Sequence, residues 1–137
     1  ALPARLLWKV PGRCRLELDR LITVQGVAAG QLVELVFTNN DVMPHNFLIG
    51  TPGSLPAMGA AADALLTSPN GLAQQYVPEI PQVIFSTRLI DPGQSVTIQF
   101  RAPSQPGDYP YVCTFPGHWR LMNGVLTVTA RATAARE

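Results

Sequence analysis

The chain has 137 residues, a net charge of +1 and only 14% charged residues. This length allows one domain with a buried core, and the low charge excludes both a nucleic-acid-binding face and a charged disordered tail. No apolar run approaches the roughly 18 residues of a transmembrane segment, and no charged-then-apolar signal segment opens the chain, which we expect to be a processed protein or an excised domain.

Strand-like segments follow one another along most of the chain. Residues 15–19 alternate apolar and polar side chains, and residues 32–38 form a more continuous apolar run that suits a sandwich interior. The other segments lie at 21–25, 45–50, 82–90, 95–100, 108–113 and 124–130, and Pro–Gly turns such as DPGQ and QPGD separate some of them. The spacing predicts an all-β fold, a two-sheet antiparallel or mixed sandwich of seven to eight strands.

One segment interrupts the β pattern. Residues 51–82 are rich in Ala, Leu and Pro, and we predict a short helical insertion around residues 54–76. Ser54 is the expected N-cap, and the helix is expected to end before Pro69. The insertion either covers a sheet edge or contacts a partner, and covering the edge is the simpler role.

Four side chains of the kind that bind copper stand in a compact arrangement. Cys113, His118 and Met122 lie within ten residues of one another, and His45 precedes them in the segment MPHNF. Two imidazoles and a thiolate, with a weak axial thioether, form the ligand set of a blue-copper electron-transfer site. Thiolate and thioether favour Cu(I), whereas imidazole serves both oxidation states. The chain has only two histidines, so this site uses both.

Each of these residues also has an ordinary structural explanation. An isolated Cys in a strand is a small core hydrophobe, a Met near a turn fills packing gaps, and a lone His forms hydrogen bonds on the surface or in the core. Their order and spacing favour the metal site. The turn dipeptide Pro116–Gly117 lets the chain leave a strand at Cys113, fold over an ion and return at Met122.

Cys14 is the other of the two cysteines. With Cys113 bound to copper no intrachain disulfide forms, and we expect Cys14 to be a partly buried free thiol. Intermolecular pairing or a functional role is the alternative for Cys14. A disulfide between the two cysteines would remove the thiolate ligand, so the copper hypothesis excludes it.

The ligand loop resembles that of a known family. CTFPGH, followed by three residues and a methionine, is similar to the loop of the azurin and auracyanin branch of the cupredoxins. Plastocyanin-like proteins have a shorter Cys–His interval, and copper nitrite reductases have a much longer one. The segments NNDVMPHNFLIG and DPGQSVTIQFRAPSQPGDYPYVC resemble the strands that lead to the first His and to the Cys, so the resemblance covers residues 15–130.

The resemblance implies a cupredoxin fold, a Greek-key β-sandwich with a helical flap, as one domain over residues 1–130 with a tail or linker over 131–137. It implies one type 1 copper per chain and one-electron transfer rather than catalysis. The implied partner is a redox protein, either a cytochrome or a membrane respiratory or photosynthetic complex. The implied location is extracytoplasmic, either periplasmic or tethered to a membrane.

The family pattern also implies roles for the residues around the ligands. Asn46 resembles the asparagine that ties the two ligand segments together, and we expect it to bond the backbone near Thr114. Backbone N–H groups of Asn46 and Phe115 are expected to reach the Cys113 sulfur and raise the reduction potential. Pro44 stands where azurin has a glycine, and its bulk is expected to hold its carbonyl away, which predicts a four-coordinate rather than a five-coordinate site.

In this family electrons leave through the exposed ring edge of the loop histidine, which an apolar patch surrounds. The residues expected around His118 are Met43, Pro44, Phe115, Pro116 and Met58. We expect Trp119 and Arg120 at its rim. There Trp119 extends the docking surface and Arg120 favours an acidic partner, unless both are ordinary loop residues.

Other classes of function are less consistent with the residues. A copper carrier or sensor needs exposed Met-rich or His-rich tracts, and the sequence has none. An enzyme needs an open coordination position or a second metal site, and with both histidines used neither a type 2 site nor a binuclear CuA-type site can be assembled. An electron-relay domain of a larger enzyme or respiratory complex stays an alternative.

Overall fold

The computed structural model describes residues 2–10, 13–20 and 24–130, with side chains from residue 27 onward. Within those residues nine strands and one helix follow in the order β1 (Leu2–Val10), β2 (Arg13–Arg20), β3 (Val24–Ala28), β4 (Leu32–Thr38), β5 (Leu48–Gly50), α1 (Leu55–Leu65), β6 (Val83–Ser86), β7 (Ser95–Arg101), β8 (Gly107–Val112) and β9 (Asn123–Thr129).

The strands form two sheets, with orders β1-β2-β4-β7 and β3-β9-β8-β5-β6. The β2–β4 and β3–β9 pairs are parallel and the other pairs are antiparallel, so the sandwich is mixed. The all-β prediction is confirmed. The strand number exceeds the prediction because β1, which lacks regular alternation in sequence, pairs with β2 along the edge of the first sheet.

The core lies between the two sheets. Strand β4 alternates inward and outward, and its buried Val33, Leu35 and Phe37 face buried residues of the second sheet. The ring of Phe47 meets Phe37 edge-on, with centroids 6.1 Å apart, and lies 5.4 Å from the ring of Tyr111. Burial of each aromatic side chain contributes about 1.5–3 kcal/mol, so the core next to residues 45–47 is a firm support.

The helical insertion is present, with one change at its N-terminus. Ser54 occupies the N-cap position, but its hydroxyl makes no capping hydrogen bond. The hydroxyl is buried against Gly50, where an added Cβ would clash with it. The buried face of α1, which includes Met58, packs with Leu48 of β5 and Val112 of β8. The helix ends at Leu65, and turns continue to residue 76.

Two predicted strands are shorter than expected. The segment 45–50 is a strand only in β5, and the segment 82–90 is one only in β6. His45 therefore lies outside the strand that was predicted to contain it. It forms an isolated antiparallel bridge with Ile90 instead, with N···O distances of 3.1 and 2.7 Å. The bridge holds this stretch without a continuous ladder, and the N–H of Phe47 donates to Oγ1 of Thr87 instead of a backbone carbonyl.

The tail predicted for residues 131–137 lies outside the described residues, and the division at residue 130 stays a prediction. None of the helices in the described part is long and apolar enough to cross a membrane.

Candidate metal centre

Three separate pieces of backbone bring His45, Cys113 and His118 together. His45 precedes β5, Cys113 directly follows β8, and His118 lies in the turn before β9. One nitrogen of each histidine and the cysteine sulfur all lie within 4.8 Å of one another. His45 and Cys113 are buried, and His118 is half-buried.

The spacing of these atoms fits one first-row transition-metal ion. The Cys113 sulfur lies 3.5 Å from Nδ1 of His45 and 3.7 Å from Nδ1 of His118. For metal–nitrogen and metal–sulfur bonds of about 2.0 and 2.3 Å, an angle of about 110–120° at the ion separates nitrogen from sulfur by roughly 3.5–3.7 Å. An imidazole–imidazole–thiolate set suits copper.

The Cys113 thiol is held in a poorly hydrated environment. Burial raises its pKa to about 11, while the backbone N–H groups of Asn46 and Phe115 hydrogen-bond the sulfur and oppose the rise. These are the two donors that the sequence predicted. Metal ligands must be deprotonated, so metal binding releases the thiol proton.

The segment from Cys113 to Met122 is closed by backbone hydrogen bonds. The N–H of Cys113 donates to the carbonyl of Met122 at 2.9 Å, and the N–H of Met122 donates to the carbonyl of His118 at 2.8 Å. Gly117 adopts a φ of +83°, which glycine tolerates, so the predicted turn is present. The half-buried Met122 side chain packs against the core cluster that includes Cys113.

Asn46 connects the two ligand segments as predicted. Its side-chain oxygen accepts a hydrogen bond from the backbone N–H of Thr114 at 2.8 Å. Its Nδ2 donates to Oγ1 of Thr114 and to the carbonyl of Gln75, both at 3.0 Å. The Thr114 hydroxyl in turn donates to the carbonyl of Tyr76 at 2.6 Å. The insertion is therefore bonded directly to the residues that flank His45 and Cys113.

Gln75 and Tyr76 were not predicted to have any role here. Both have positive φ, 56° and 55°, a conformation that is unusual for residues other than glycine. It aims their two carbonyls at Asn46 and Thr114, and it places the Tyr76 ring edge-on to Phe115 with centroids 5.5 Å apart. No signal in the sequence marks these positions, because neither is a glycine or asparagine.

Asp41 was also missed. One of its carboxylate oxygens lies 2.9 Å from Nε2 of His45, and the other accepts the N–H of Val42 at 2.7 Å. These two hydrogen bonds hold the pKa of Asp41 below its usual value, and the bond from Val42 contributes more than the bond from His45. An Asp four residues before a His in a loop implies no proximity by itself, so only the folded loop shows this contact.

Asn39 fixes that loop from inside. The fully buried side chain donates from Nδ2 to the carbonyls of Met43 and Ile90, both at 2.8 Å, and its oxygen accepts the N–H of Asp41 at 2.9 Å. Asn39 thereby ties the backbone that precedes Pro44 to Ile90, the bridge partner of His45.

The His118 side of the centre is more exposed to solvent than the His45 side. Its ring is half-buried, and burial followed by the nearby His45 holds its pKa below the usual value. Its ring centroid lies 4.9 Å from that of His45 and 5.1 Å from that of Phe115. Two exposed apolar residues near the ligands in sequence, Val42 at 84% and Leu121 at 79% exposure, were not predicted.

The predicted docking residues do not all reach the surface. Met43 is 42% exposed, and Pro44, Phe115 and Pro116 are half-buried. Met58 is fully buried on the inner face of α1, so its assignment to a surface patch is wrong. The reason is that α1 turns Met58 towards the sheet, where it contacts Leu48 and Val112 in one cluster.

Trp119 and Arg120 are occupied by contacts with α1. Nε1 of Trp119 donates to one carboxylate oxygen of Asp63, and Arg120 pairs with the other, each at 3.0 Å. The Arg120 guanidinium lies 4.5 Å from the centre of the Trp119 ring. A Cβ added at Gly59 would lie 2.5 Å from that indole, so close packing attaches the ligand loop to the helix.

Comparison with known proteins agrees with this site. Residues 24–129 match the model of the copper-binding proteins of the plastocyanin/azurin family. The chain is 36% identical over 104 residues to auracyanin-A of Chloroflexus aurantiacus, covering 74% of this chain, and 35% identical over 91 residues to azurin of Pseudomonas aeruginosa, covering 64%. These matches span 62% and 58% of the relatives' own lengths.

The fold agrees as well. The solved structure of auracyanin A, described as a "blue" copper protein from a green thermophilic photosynthetic bacterium, superposes with a TM-score of 0.68 at 34% identity, covering 82% of this chain and 89% of that one. The sandwich is thus a cupredoxin fold, and copper is the cofactor that the clustered His45, Cys113 and His118 fit.

Proposed function

The chain belongs to the plastocyanin/azurin family of copper-binding proteins, and from that premise we propose that it is a type 1 copper protein that transfers single electrons. The observation that carries the proposal is the position of two Nδ1 atoms at 3.5 and 3.7 Å from one buried cysteine sulfur. Bound there, copper accepts and releases one electron between Cu(II) and Cu(I).

The ligands in this proposal are Nδ1 of His45, Sγ of Cys113, Nδ1 of His118 and, as a weak axial ligand, the sulfur of Met122. A metal that changes charge without changing its ligands needs a scaffold that does not move with it. The bridge between His45 and Ile90 and the hydrogen bond from Cys113 to Met122 supply that rigidity. The proposed site has four protein ligands, and Pro44 contributes no fifth.

We propose that electrons leave through His118, because it is the ligand histidine that reaches solvent while His45 is fully buried. The proposed docking surface is the apolar rim formed by Met43, Phe115 and Pro116. Trp119 and Arg120 border this rim, and their bonds to Asp63 make them supports of the loop as well. A small apolar surface suits the transient encounters of redox proteins.

The partner in this proposal is a cytochrome or a membrane respiratory or photosynthetic complex, and the proposed location is extracytoplasmic. The named relatives are auracyanins and azurins, whereas a carrier or sensor has no supporting feature among the described residues. The proposed role is electron carrier rather than enzyme.

The visible spectrum of the purified protein, oxidised and then reduced, tests the function. We expect an intense blue thiolate-to-copper band that disappears on reduction, with one copper per chain by metal analysis. The two cysteines provide a matched pair: Cys113→Ser should abolish the band, and Cys14→Ser should retain it. A colourless protein after Cu(II) addition, or a blue Cys113→Ser variant, would contradict the proposal.

The electron exchange rate tests the exit route. Met43→Lys places a charge in the docking surface, and Ile84→Lys places the same charge at a 46% exposed position on the edge strand β6. We expect both variants to stay blue. NMR line broadening in mixtures of oxidised and reduced protein should show slower self-exchange for Met43→Lys alone, and equal rates in the two variants would place the exit elsewhere.

A further inference from the structure

The buried histidine of the centre is held at both ring nitrogens. Its Nδ1 faces the Cys113 sulfur at 3.5 Å, and its Nε2 lies 2.9 Å from Oδ2 of Asp41. Since Nδ1 is the atom that faces the metal position, Nε2 carries the proton and donates it to the carboxylate. An ionised acceptor makes this hydrogen bond stronger than a bond to a neutral group.

On the basis of the proposed function, we propose that Asp41 is a positioning residue that lowers the reduction potential of the copper through His45. The carboxylate holds the Nε2–H tautomer and makes the imidazole a more basic ligand at Nδ1. A more basic, partly anionic ligand stabilises Cu(II) more than Cu(I), because the oxidised ion has the larger charge.

The carboxylate is fixed before any metal binds. Its Oδ1 accepts the N–H of Val42 at 2.7 Å, and the N–H of Asp41 itself donates to the Asn39 side chain at 2.9 Å. Asn39 is fully buried and bonds the carbonyls of Met43 and Ile90. Both carboxylate oxygens therefore have defined donors, so the orientation of Asp41 does not depend on the ion.

The two members of the His45–Asp41 pair differ in burial. The His45 side chain is 0% exposed, so water does not compete for its Nε2–H, whereas the Asp41 side chain is 47% exposed. The carboxylate therefore keeps part of its hydration, which limits the desolvation that a buried charge costs. The charge acts on the copper through one ordered ring rather than through bulk solvent.

Protein-film or solution voltammetry of copper-loaded variants tests the inference. Asp41→Asn removes the charge of the carboxylate bonded to His45, and Glu79→Gln removes one charge at an exposed position beyond the helical insertion while keeping the oxygen that Gln74 contacts. Loss of such an outer-shell partner typically weakens metal binding about 10–100-fold. If that loss falls on Cu(II) at least tenfold more than on Cu(I), the potential of Asp41→Asn rises by about 59 mV or more.

We expect both variants to stay blue and Glu79→Gln to keep the wild-type potential. Equal potentials in Asp41→Asn and Glu79→Gln would overturn the inference but leave the proposed function standing. A wild-type protein without the blue band would overturn the proposed function itself.

A second measurement needs neither copper nor the variant. In the zinc-loaded wild-type protein, NMR should detect a proton on Nε2 of His45 that exchanges with water at least tenfold more slowly than that of a free imidazole. A proton on this nitrogen that exchanges as fast as in free imidazole would overturn the inference, even if Asp41→Asn failed to fold.

Discussion

The two histidines of the centre occupy opposite environments. His45 is fully buried, its backbone is bridged to Ile90, and its Nε2 is bonded to Asp41. His118 is half-buried, and within the described part of the chain no group hydrogen-bonds its Nε2. One histidine ligand thus lies inside a closed, hydrogen-bonded loop, and the other lies in a more exposed turn.

The difference separates two requirements of an electron-transfer site. The closed side keeps one ligand in place while the charge of the ion changes. The open side brings a ring edge to the surface, and its support comes from packing of Trp119 on Gly59 rather than from a buried polar network. The two sides should therefore respond differently to substitution.

The largest effect on stability is expected on the His45 side of the centre, when the buried side-chain amide of Asn39 is removed. Asn39→Ala removes three hydrogen bonds, those with the Asp41 N–H and with the Met43 and Ile90 carbonyls, and the Ile90 carbonyl keeps the N–H of His45. Each intramolecular hydrogen bond contributes about 0.5–1.5 kcal/mol, so for three lost hydrogen bonds we expect the free energy of unfolding to fall by roughly 2–4 kcal/mol in urea titrations. The exposed neighbour offers the control, Asn40→Ala, which should change it by less than about 0.5 kcal/mol.

The next effect tests the packing of the open side. Gly59→Ala in α1 would ordinarily stabilise a helix by about 1 kcal/mol, but here the added Cβ meets the Trp119 ring at 2.5 Å. We expect a net loss of roughly 1–3 kcal/mol, the usual cost of overpacking.

The control for this substitution lies at the next position, which is exposed. Ala60→Gly should cost only the helix propensity of about 1 kcal/mol. Stabilisation by Gly59→Ala would show that the ligand loop is not packed against the helix.

A smaller effect on stability is expected from ionisation of the Cys113 thiol in the metal-free protein. Its pKa is raised to about 11, while an unfolded thiol ionises near pH 8.5–9. The unfolded state therefore loses its proton first. Stability is complete below about pH 9 and should fall by about 1.4 kcal/mol per pH unit up to pH 11. Cys113→Ala should lack this component in parallel titrations, and identical slopes would contradict the shift.

The smallest effect is expected at the rim. Arg120 and Asp63 form an ion pair with side chains 63% and 37% exposed, and such pairs contribute about 0–1 kcal/mol. Arg120→Ala should leave the visible spectrum unchanged and reduce the free energy of unfolding by less than about 1 kcal/mol. A bleached spectrum would mean that this pair holds His118 in place.

Prediction from the sequence worked where chemistry is local. The turn at Gly117, the β class and the short helix follow from residue type and spacing, and each is present. The bond between Asn46 and Thr114 was expected from family resemblance and is also present. Prediction from the sequence failed at Met58, because helical spacing alone does not say which face of α1 meets the sheet.

The sequence by itself determined the kind of site: two histidines, one cysteine and one methionine in a spacing that suits copper. Only the tertiary structure decided how each ligand is supported, through Asp41, Asn39 and the left-handed pair Gln75 and Tyr76. The physical reason is that these supports are hydrogen bonds between loops, whose partners are set by where the sandwich places the strand ends. Residue identity marks a possible donor or acceptor, and only the fold specifies its partner.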